Sequence, residues 1–148
     1  MIRTLGIGLA LCPAVALLGC DAEPARYAAT GKVTMDGAPA PFVVVSFRSA
    51  DPKSTSGGRG STDATGKFTV GENGKNTGLQ AGDYKVTFSQ TLVRGKPTLA
   101  GSGGKKEEKE KTEKEAVPDE YRDPQNTPHS ATIGSGTNDF TFDIKVKN

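Results

Sequence analysis

Apolar and polar residues alternate along much of the chain after residue 26, and this period of two predicts β-strands. Gly31, Val33 and Met35 fall on one side of the first such pattern, with polar neighbours between them. The strongest alternation is the last, where apolar residues at 140, 142, 144 and 146 are separated by Thr, Asp and Lys. Both patterns are typical of strands that bury one face and expose the other.

A β-branched and aromatic run from Phe42 to Phe47 predicts a central strand with Val43, Val45 and Phe47 on one face.

Another strand is predicted where Tyr84, Val86 and Phe88, facing inward, alternate with Lys85, Thr87 and Ser89, facing outward. Tyr84 follows Gly82 by two residues at the entrance of this strand. We therefore expect a structural tyrosine whose hydroxyl bonds to backbone upstream, as in the tyrosine corner of β-sandwiches.

Turn-forming residues separate these strands. Asp36-Gly37 predicts a tight turn. The Ser-, Gly- and Lys-rich stretch 51–60 predicts a mobile loop, and the turn residues within 61–70 predict a hairpin between two short strands.

Short strands, turn signals at intervals of about ten residues and no amphipathic helix after residue 26 predict an all-β fold. We expect a β-sandwich with Greek-key connections over residues 27–148. Residues 103–116 interrupt this pattern, because they are rich in Lys and Glu and have no apolar face. They predict a disordered, solvated insertion in a loop.

Residues 1–19 have a different organisation. An apolar run from Leu5 to Leu18 follows Arg3 and ends at the small residue Gly19. Its length of about 14 residues is short of the about 20 that a membrane-spanning helix requires. The segment therefore predicts a removable export signal.

The signal ends in Leu17-Leu18-Gly19-Cys20, which resembles the lipobox of bacterial lipoproteins. The resemblance implies cleavage between Gly19 and Cys20 and a diacylglyceryl group on the Cys20 thiol. Each buried CH₂ of such a lipid contributes about 0.8 kcal/mol to membrane binding. We expect an exported protein that is anchored to a bacterial membrane, inner or outer, with residues 20–26 as its tether. A secreted protein with an incidental cysteine is the alternative.

Cysteine usage and charge narrow the function classes. Cys12 would leave with the signal, so Cys20 alone would remain, and neither an intramolecular disulfide nor a thiolate metal site could form. Only Arg3 among the charged residues would be lost, which leaves nearly balanced charge. Without a basic patch interleaved with aromatics, we expect no nucleic-acid partner.

The sequence does not indicate a set of catalytic residues. The single histidine, His129, lies in a turn-like stretch, where we expect a solvated loop residue. The serines at 46, 61, 130 and 135 lie outside any Gly-x-Ser-x-Gly elbow. Asp119 and Glu120 are adjacent, which does not place two carboxylates across a cleft. We therefore predict a non-enzyme with no catalytic residue, cofactor or metal site.

Five segments together resemble the carboxypeptidase regulatory-like, or transthyretin-like, domain of small bacterial lipoproteins: residues 30–39, 62–68, 81–86, 117–124 and 136–142. The resemblance implies a seven-stranded sandwich without assigned catalysis. Members of that family serve as folding, adhesion or interaction modules.

Two functional hypotheses follow. The first is a structural or protein-interaction module at the cell envelope, with an envelope protein as partner and an undetermined oligomeric state. The alternative is an extracytoplasmic binding module for a small ligand, a carbohydrate or Ca²⁺. Asp-containing loops motivate the calcium hypothesis, and the rings of Tyr27 and Tyr121 are the plausible exposed platforms for a sugar. The loop aspartates are Asp51, Asp63, Asp119 and Asp123.

Overall fold

The computed structural model describes residues 23–71, 77–99 and 113–146. Three predictions fall outside these ranges: the signal peptide at residues 1–19, the cleavage and lipidation site at Gly19 and Cys20, and residues 103–112 of the insertion. Within the described ranges, no helix has the length and apolar character needed to cross a bilayer.

The described chain is all-β, as predicted, with one short helix. Its strands are β1 Arg26–Tyr27, β2 Ala29–Met35, β3 Ala38–Pro39, β4 Val44–Ser49, β5 Gly57–Ser61, β6 Lys67–Val70, β7 Leu79–Gln80, β8 Gly82–Ser89, β9 Thr91–Val93, β10 Lys96–Thr98, β11 Glu113–Glu115, β12 Ser130–Ile133 and β13 Asp139–Ile144. The helix, α1, spans Asp119–Arg122.

Two larger sheets organise these strands. In the first, the order is β12, β8, β4, β5, and every neighbouring pair is antiparallel. In the second, β2 pairs in parallel with β13 and antiparallel with β3 and β6. Two smaller sheets pair β1 with β7, and β9 with β10 and β11. The described strands number more than the predicted seven because several of them contain only two or three residues.

A hydrophobic core lies between the two larger sheets, the arrangement of a β-sandwich. Its centre is aromatic. The ring of Phe47 on β4 lies with its centroid 6.1 Å from that of Phe68 on β6 and 6.5 Å from that of Phe142 on β13. The predicted inward faces of β4 and β8 are confirmed, since their predicted apolar residues are all buried: Val43, Val45, Phe47, Tyr84, Val86 and Phe88.

The role predicted for Tyr84 is confirmed. Its hydroxyl donates to the carbonyl oxygen of Gln80 at 2.9 Å and lies 2.8 Å from the Ser56 hydroxyl. The phenol thus ties the start of β8 to β7 and to the segment that precedes β5.

The turn predicted at Asp36-Gly37 is also confirmed. It joins β2 to β3 with Met35 opposite Ala38, and the φ angles of 50° and 83° are those of a type I′ hairpin turn. The Asp143 carboxylate on β13 accepts hydrogen bonds from the Gly37 amide at 3.0 Å and from the Thr34 hydroxyl at 2.7 Å.

The loop predicted over residues 51–60 is wrong at its carboxyl end, where Gly57–Ser61 forms β5. The reason is tertiary packing. A Cβ at Gly58 would lie 2.8 Å from Leu79 Cδ2, and one at Gly60 would lie 2.6 Å from the Thr69 carbonyl oxygen. The glycines let β6 and β7 approach a strand that has no hydrophobic pattern of its own.

The hairpin predicted over residues 61–70 is a turn between sheets. The Gly66 amide donates to the Asp63 carbonyl at 3.1 Å, which closes the expected turn. However, β5 pairs with β4 while β6 pairs with β2, so this turn carries the chain from one large sheet to the other.

The end of the predicted disordered insertion also differs, because Glu113–Glu115 forms β11 against β9. The Glu115 carboxylate accepts hydrogen bonds from the Ser89 hydroxyl at 2.6 Å, the Gln90 amide at 2.7 Å and the Val117 amide at 2.9 Å. Three donors on a single carboxylate fix the place where the chain returns to the sandwich.

Candidate functional site

The outward face of the first large sheet carries a basic surface. Strand register places Arg59 beside Ser46, and Ser46 beside Thr87, in one row across three strands. The next row places Arg48 between Gly57 and Lys85. Because their neighbours along each strand face the core, these side chains share the outer face.

A groove of about 650 Å³ lies over this face, and we call it the arginine groove. Three cations line it, Arg48, Arg59 and Arg122. The remaining lining consists of five hydroxyl-bearing residues, two glycines, one phenylalanine and one proline: Ser46, Ser54, Thr55, Ser56, Thr87, Gly57, Gly58, Phe47 and Pro124. No Asp or Glu belongs to this described lining.

The cations of the groove differ in their partners. Arg122 pairs with Asp119 within α1, and both of these side chains are well exposed. Among the described residues, neither Arg48 nor Arg59 forms an ion pair. Two guanidinium groups are thus available to a ligand.

Arg48 and Lys85 are direct cross-strand neighbours on the same face. Like charges at such positions destabilise a sheet by a few tenths of a kcal/mol up to about 1 kcal/mol. Asp83, two residues before Lys85 along β8, accepts a hydrogen bond from the Thr132 hydroxyl at 2.6 Å. The fold therefore places two cations side by side on the outer face of the sheet.

The position of Arg122 depends on the segment that includes α1. Tyr121 is buried, and its hydroxyl accepts from the Lys145 amide at 3.2 Å. Thr127, further along, donates through its hydroxyl to the Val86 carbonyl at 2.7 Å. These bonds fasten the segment to β8 and to the end of β13, with Arg122 at the groove.

His129 is not the solvated loop residue that the sequence predicted. Its ring stacks on Tyr121 with centroids 5.7 Å apart and meets the edges of Phe88 and Phe142 at 5.4 Å. Its Nε2 lies 3.2 Å from the carbonyl oxygen of Asp143. Burial lowers the pKa of His129, which keeps the imidazole neutral at physiological pH. The sequence alone could not reveal this packing, because Phe88 and Phe142 lie on strands of different sheets, β8 and β13.

The four aspartates that motivated the calcium hypothesis are engaged locally. Asp51 accepts from the Lys53 amide, Asp119 pairs with Arg122, and Asp123 accepts from the Gln125 amide and the Asn126 side chain. Asp63 accepts from the Thr65 hydroxyl and two backbone amides, and these bonds lower its pKa, the hydroxyl most. Within the described ranges, no cluster of three or more acidic, His or Cys side chains has the geometry of a metal site.

The two tyrosines considered as exposed platforms for a sugar are not fully exposed. Tyr121 is buried under its stacking contact with His129, and Tyr27 is half-buried on β1. The Tyr121 ring therefore does not match the exposed platform expected, and Tyr27 exposes only part of its side chain.

The serines considered as nucleophiles occupy separate places. Ser46 lies in the arginine groove, Ser61 ends β5 and Ser130 begins β12. Asp119 and Glu120 form the first turn of α1. The hydrogen-bonding contact of the His129 ring is a backbone carbonyl, so the structure does not join these residues into a relay.

A second groove of about 370 Å³ lies on the second sheet. Lys32 and Lys67 are cross-strand neighbours there, and Asp139 shares the lining. This surface resembles the arginine groove in having paired cations but carries an acidic residue and no arginine, which makes it a useful control surface.

Sequence reasoning missed Arg48, Arg59 and Arg122 as site residues. The sequence indicated weakly that Arg48 faces outward, because it directly follows the inward residue Phe47 in β4. Arg59 had no such signal, because it lies in the glycine-rich sequence of β5, and such a sequence is typical of a loop.

Comparisons with models of protein families, with curated proteins and with solved structures found no match to this chain.

Proposed function

We propose that this protein is a non-catalytic lipoprotein of the bacterial cell envelope, in which a lipid on Cys20 holds the β-sandwich at a membrane and the arginine groove binds a partner. The observation that carries the proposal is the groove itself. Arg48 and Arg59 form no ion pair with the described residues, and they lie together with a third cation, Arg122, around one concave surface.

The membrane anchor is supported by the sequence. The short apolar run, Gly19 and Cys20 fit a lipoprotein signal, and β1 begins at Arg26, only six residues after Cys20. Because Arg26 belongs to β1, the tether is one residue shorter than the predicted 20–26, and it would keep the sandwich within about 20 Å of the bilayer surface. The arginine groove would then act on partners in or near the membrane.

A non-catalytic role is supported by the surroundings of His129. General bases are held within hydrogen-bond reach of the proton they remove. The His129 ring instead packs among three aromatic side chains, and one of its nitrogens faces the Asp143 carbonyl. We interpret it as a structural residue.

For the fold, we propose the Greek-key topology of the transthyretin-like sandwich. The tyrosine-corner hydrogen bond of Tyr84 supports this proposal, as does the type I′ turn at Asp36-Gly37. The turn at residues 62–66, which passes between the sheets, is also of the kind that a Greek-key connection requires.

A small anionic molecule is the second candidate for the partner. The groove volume of about 650 Å³ lies within the range of about 300 to 1,000 Å³ typical of small-ligand pockets. For calcium the support is weaker, because the loop aspartates are engaged in their own turns.

Site-specific photo-crosslinking in cells tests the proposed binding surface. A photoreactive amino acid at Ser46, on the floor of the groove, is compared with the same substitution at Thr69, on the outside of the second sheet. The proposal predicts a discrete adduct from position 46 that Arg59→Gln abolishes. Equal adducts from both positions, or none from position 46, would contradict it.

A further inference from the structure

The arginine groove has more cations than ion-paired carboxylates among the described residues. Arg48, Arg59 and Arg122 line it, and Lys85 stands beside Arg48 on the same face. Within the described ranges, the one ion pair formed by these four cations joins Arg122 to Asp119. A ligand that brings negative charge would remove the repulsion between Arg48 and Lys85.

We propose that the arginine groove binds a phosphoryl group. This inference deepens the proposed function and rests on it for taking the groove as the binding surface. It adds the chemical class of the group that is bound.

The spacing of the cations favours one compact, doubly charged group. Arg48 and Arg59 lie on adjacent strands, two residues apart in register, because Arg59 pairs with Ser46. Such diagonal neighbours have Cβ atoms about 7 to 8 Å apart, which is within reach of long side chains. Two guanidinium groups can therefore converge on one tetrahedral anion from adjacent sides.

The number of donors favours a phosphoryl group over a carboxylate. A phosphate monoester carries a charge of about −1.5 to −2 and offers three strong acceptor oxygens. A single carboxylate carries one negative charge and has about four acceptor positions, of which one bidentate arginine uses two. With two unpaired arginines, Lys85 beside them and the hydroxyls of Ser46 and Thr87 on the floor, the site supplies more donors than one carboxylate can accept.

Glycine at position 57 leaves room for such a group. Gly57 is the cross-strand partner of Arg48 on the outer face and has no side chain to cover the guanidinium. A Cβ at this position would lie 2.7 Å from the Phe47 carbonyl oxygen, so the backbone itself requires glycine here. The same local packing that fixes β5 thus also opens the groove beside Arg48.

The phosphoryl group could belong to a lipid headgroup or to a free phosphorylated molecule, and both present the same chemistry to the arginines. A two-arm experiment separates these sources. In the first arm, the full chain is purified in detergent, and its melting temperature is measured with inorganic phosphate, pyrophosphate or acetate at constant ionic strength. A ligand that binds only the folded protein raises the melting temperature by mass action.

The proposal predicts that phosphate and pyrophosphate raise the melting temperature more than acetate does. It also predicts that Arg48→Gln and Arg59→Gln each bind phosphate at least tenfold more weakly. Lys32→Gln, which removes one charge from the opposite sheet, is the matched control and should bind phosphate as the unsubstituted chain does. Circular dichroism shows whether each variant is folded. Equal responses to phosphate and acetate, or phosphate binding unchanged in both arginine variants, would overturn the proposal.

In the second arm, the unlipidated Cys20→Ser chain is sedimented with vesicles of phosphatidic acid or of phosphatidylcholine. Sedimentation with phosphatidic acid alone, lost in Arg59→Gln, would assign the phosphoryl group to a lipid. Binding in the first arm without sedimentation would assign it to a soluble molecule. If neither arm responds while position 46 still crosslinks a partner in cells, the phosphoryl assignment is wrong and the proposed function stands.

Discussion

His129 Nε2 lies 3.2 Å from the backbone carbonyl oxygen of Asp143, and this contact joins the segment after α1 to the last strand of the second sheet. The half-buried imidazole packs against Tyr121, Phe88 and Phe142. The only histidine of the chain is therefore part of the structural link between the two sheets.

This environment predicts a pH-dependent stability. Burial lowers the pKa of folded His129 below its ordinary value of 6.5, so the unfolded chain binds the proton more readily. The stabilisation is fully present above about pH 6.5 and is lost as pH falls toward the folded pKa. Urea denaturation between pH 7.5 and 5 should show decreasing stability, and His129→Phe should flatten that dependence.

Asp143 provides the internal check on this assignment. Hydrogen bonds from Lys145, Thr34 and the Gly37 amide lower its pKa from 3.8 to about 2. Its contribution is lost only as pH falls from about 4 toward 2, well below the histidine window. An unchanged pH profile between 7.5 and 5 in His129→Phe would contradict the role assigned to the imidazole.

The Tyr84 hydroxyl should contribute measurably to stability. It bonds to the Gln80 carbonyl and to the Ser56 hydroxyl, so Tyr84→Phe leaves both without this partner. We expect a loss of about 1 to 2 kcal/mol in the free energy of unfolding. Ser56→Ala, which removes only one of the two bonds, should cost less, and the double variant should cost less than the sum. A Tyr84→Phe variant as stable as the unsubstituted chain would show that the corner is dispensable.

Glycine at position 60 should be required for packing. Gly60→Ala would place its Cβ 2.6 Å from the Thr69 carbonyl oxygen, a backbone atom that cannot move without displacing β6. Overpacking of this kind costs about 1 to 3 kcal/mol. Gly136→Ala is the matched control because no atom lies within 4 Å of a Cβ there. Thermal melts of the two variants compare the positions directly, and equal melting temperatures would contradict the close approach of β5 and β6.

The Glu115 carboxylate should hold β11 in place. It accepts from Ser89, Gln90 and Val117, whereas Glu113, at the other end of the same strand, is exposed. We expect Glu115→Ala to cost about 1 to 3 kcal/mol and to speed hydrogen exchange at the Gln90 and Val117 amides. Glu113→Ala should change neither property by a comparable amount. Unaltered exchange at both amides in Glu115→Ala would contradict the role given to this carboxylate.

The repulsion between Arg48 and Lys85 should be visible as a gain on its removal. We expect Lys85→Gln to raise stability by a few tenths of a kcal/mol up to about 1 kcal/mol at low salt, and to reduce the affinity for phosphate. The stability gain should shrink at high salt, where the charges are screened. A loss of stability on this substitution would show that Lys85 has a favourable partner on the sheet face.

The features predicted best from the sequence are those in which one strand encodes its own face. The inward residues of β4 and β8, the hydroxyl bond of Tyr84 and the turn at Asp36-Gly37 depend on local pattern and local geometry. Features of this kind can be predicted from a short segment of sequence.

The remaining features depend on contacts between distant residues. β5 has glycines where a hydrophobic pattern would be expected, and the close approach of Phe47, Leu79 and Thr69 explains them. His129 packs against three rings, two of which lie on β8 and β13 in different sheets. The arginine groove requires the register that sets Arg59 beside Ser46, and Ser46 beside Thr87, which no single strand encodes.

The proposed location at a membrane underlies the whole account, and one measurement tests it most directly. The full chain and its Cys20→Ser variant are expressed in a bacterium that processes lipoproteins, fractionated into membrane and soluble pools, and analysed by intact mass. The account predicts a membrane-bound mature chain that begins at Cys20 and is heavier by a diacylglyceryl group. In Cys20→Ser, both the added lipid mass and the membrane binding should be lost. An unmodified, soluble product cleaved at another position would contradict it.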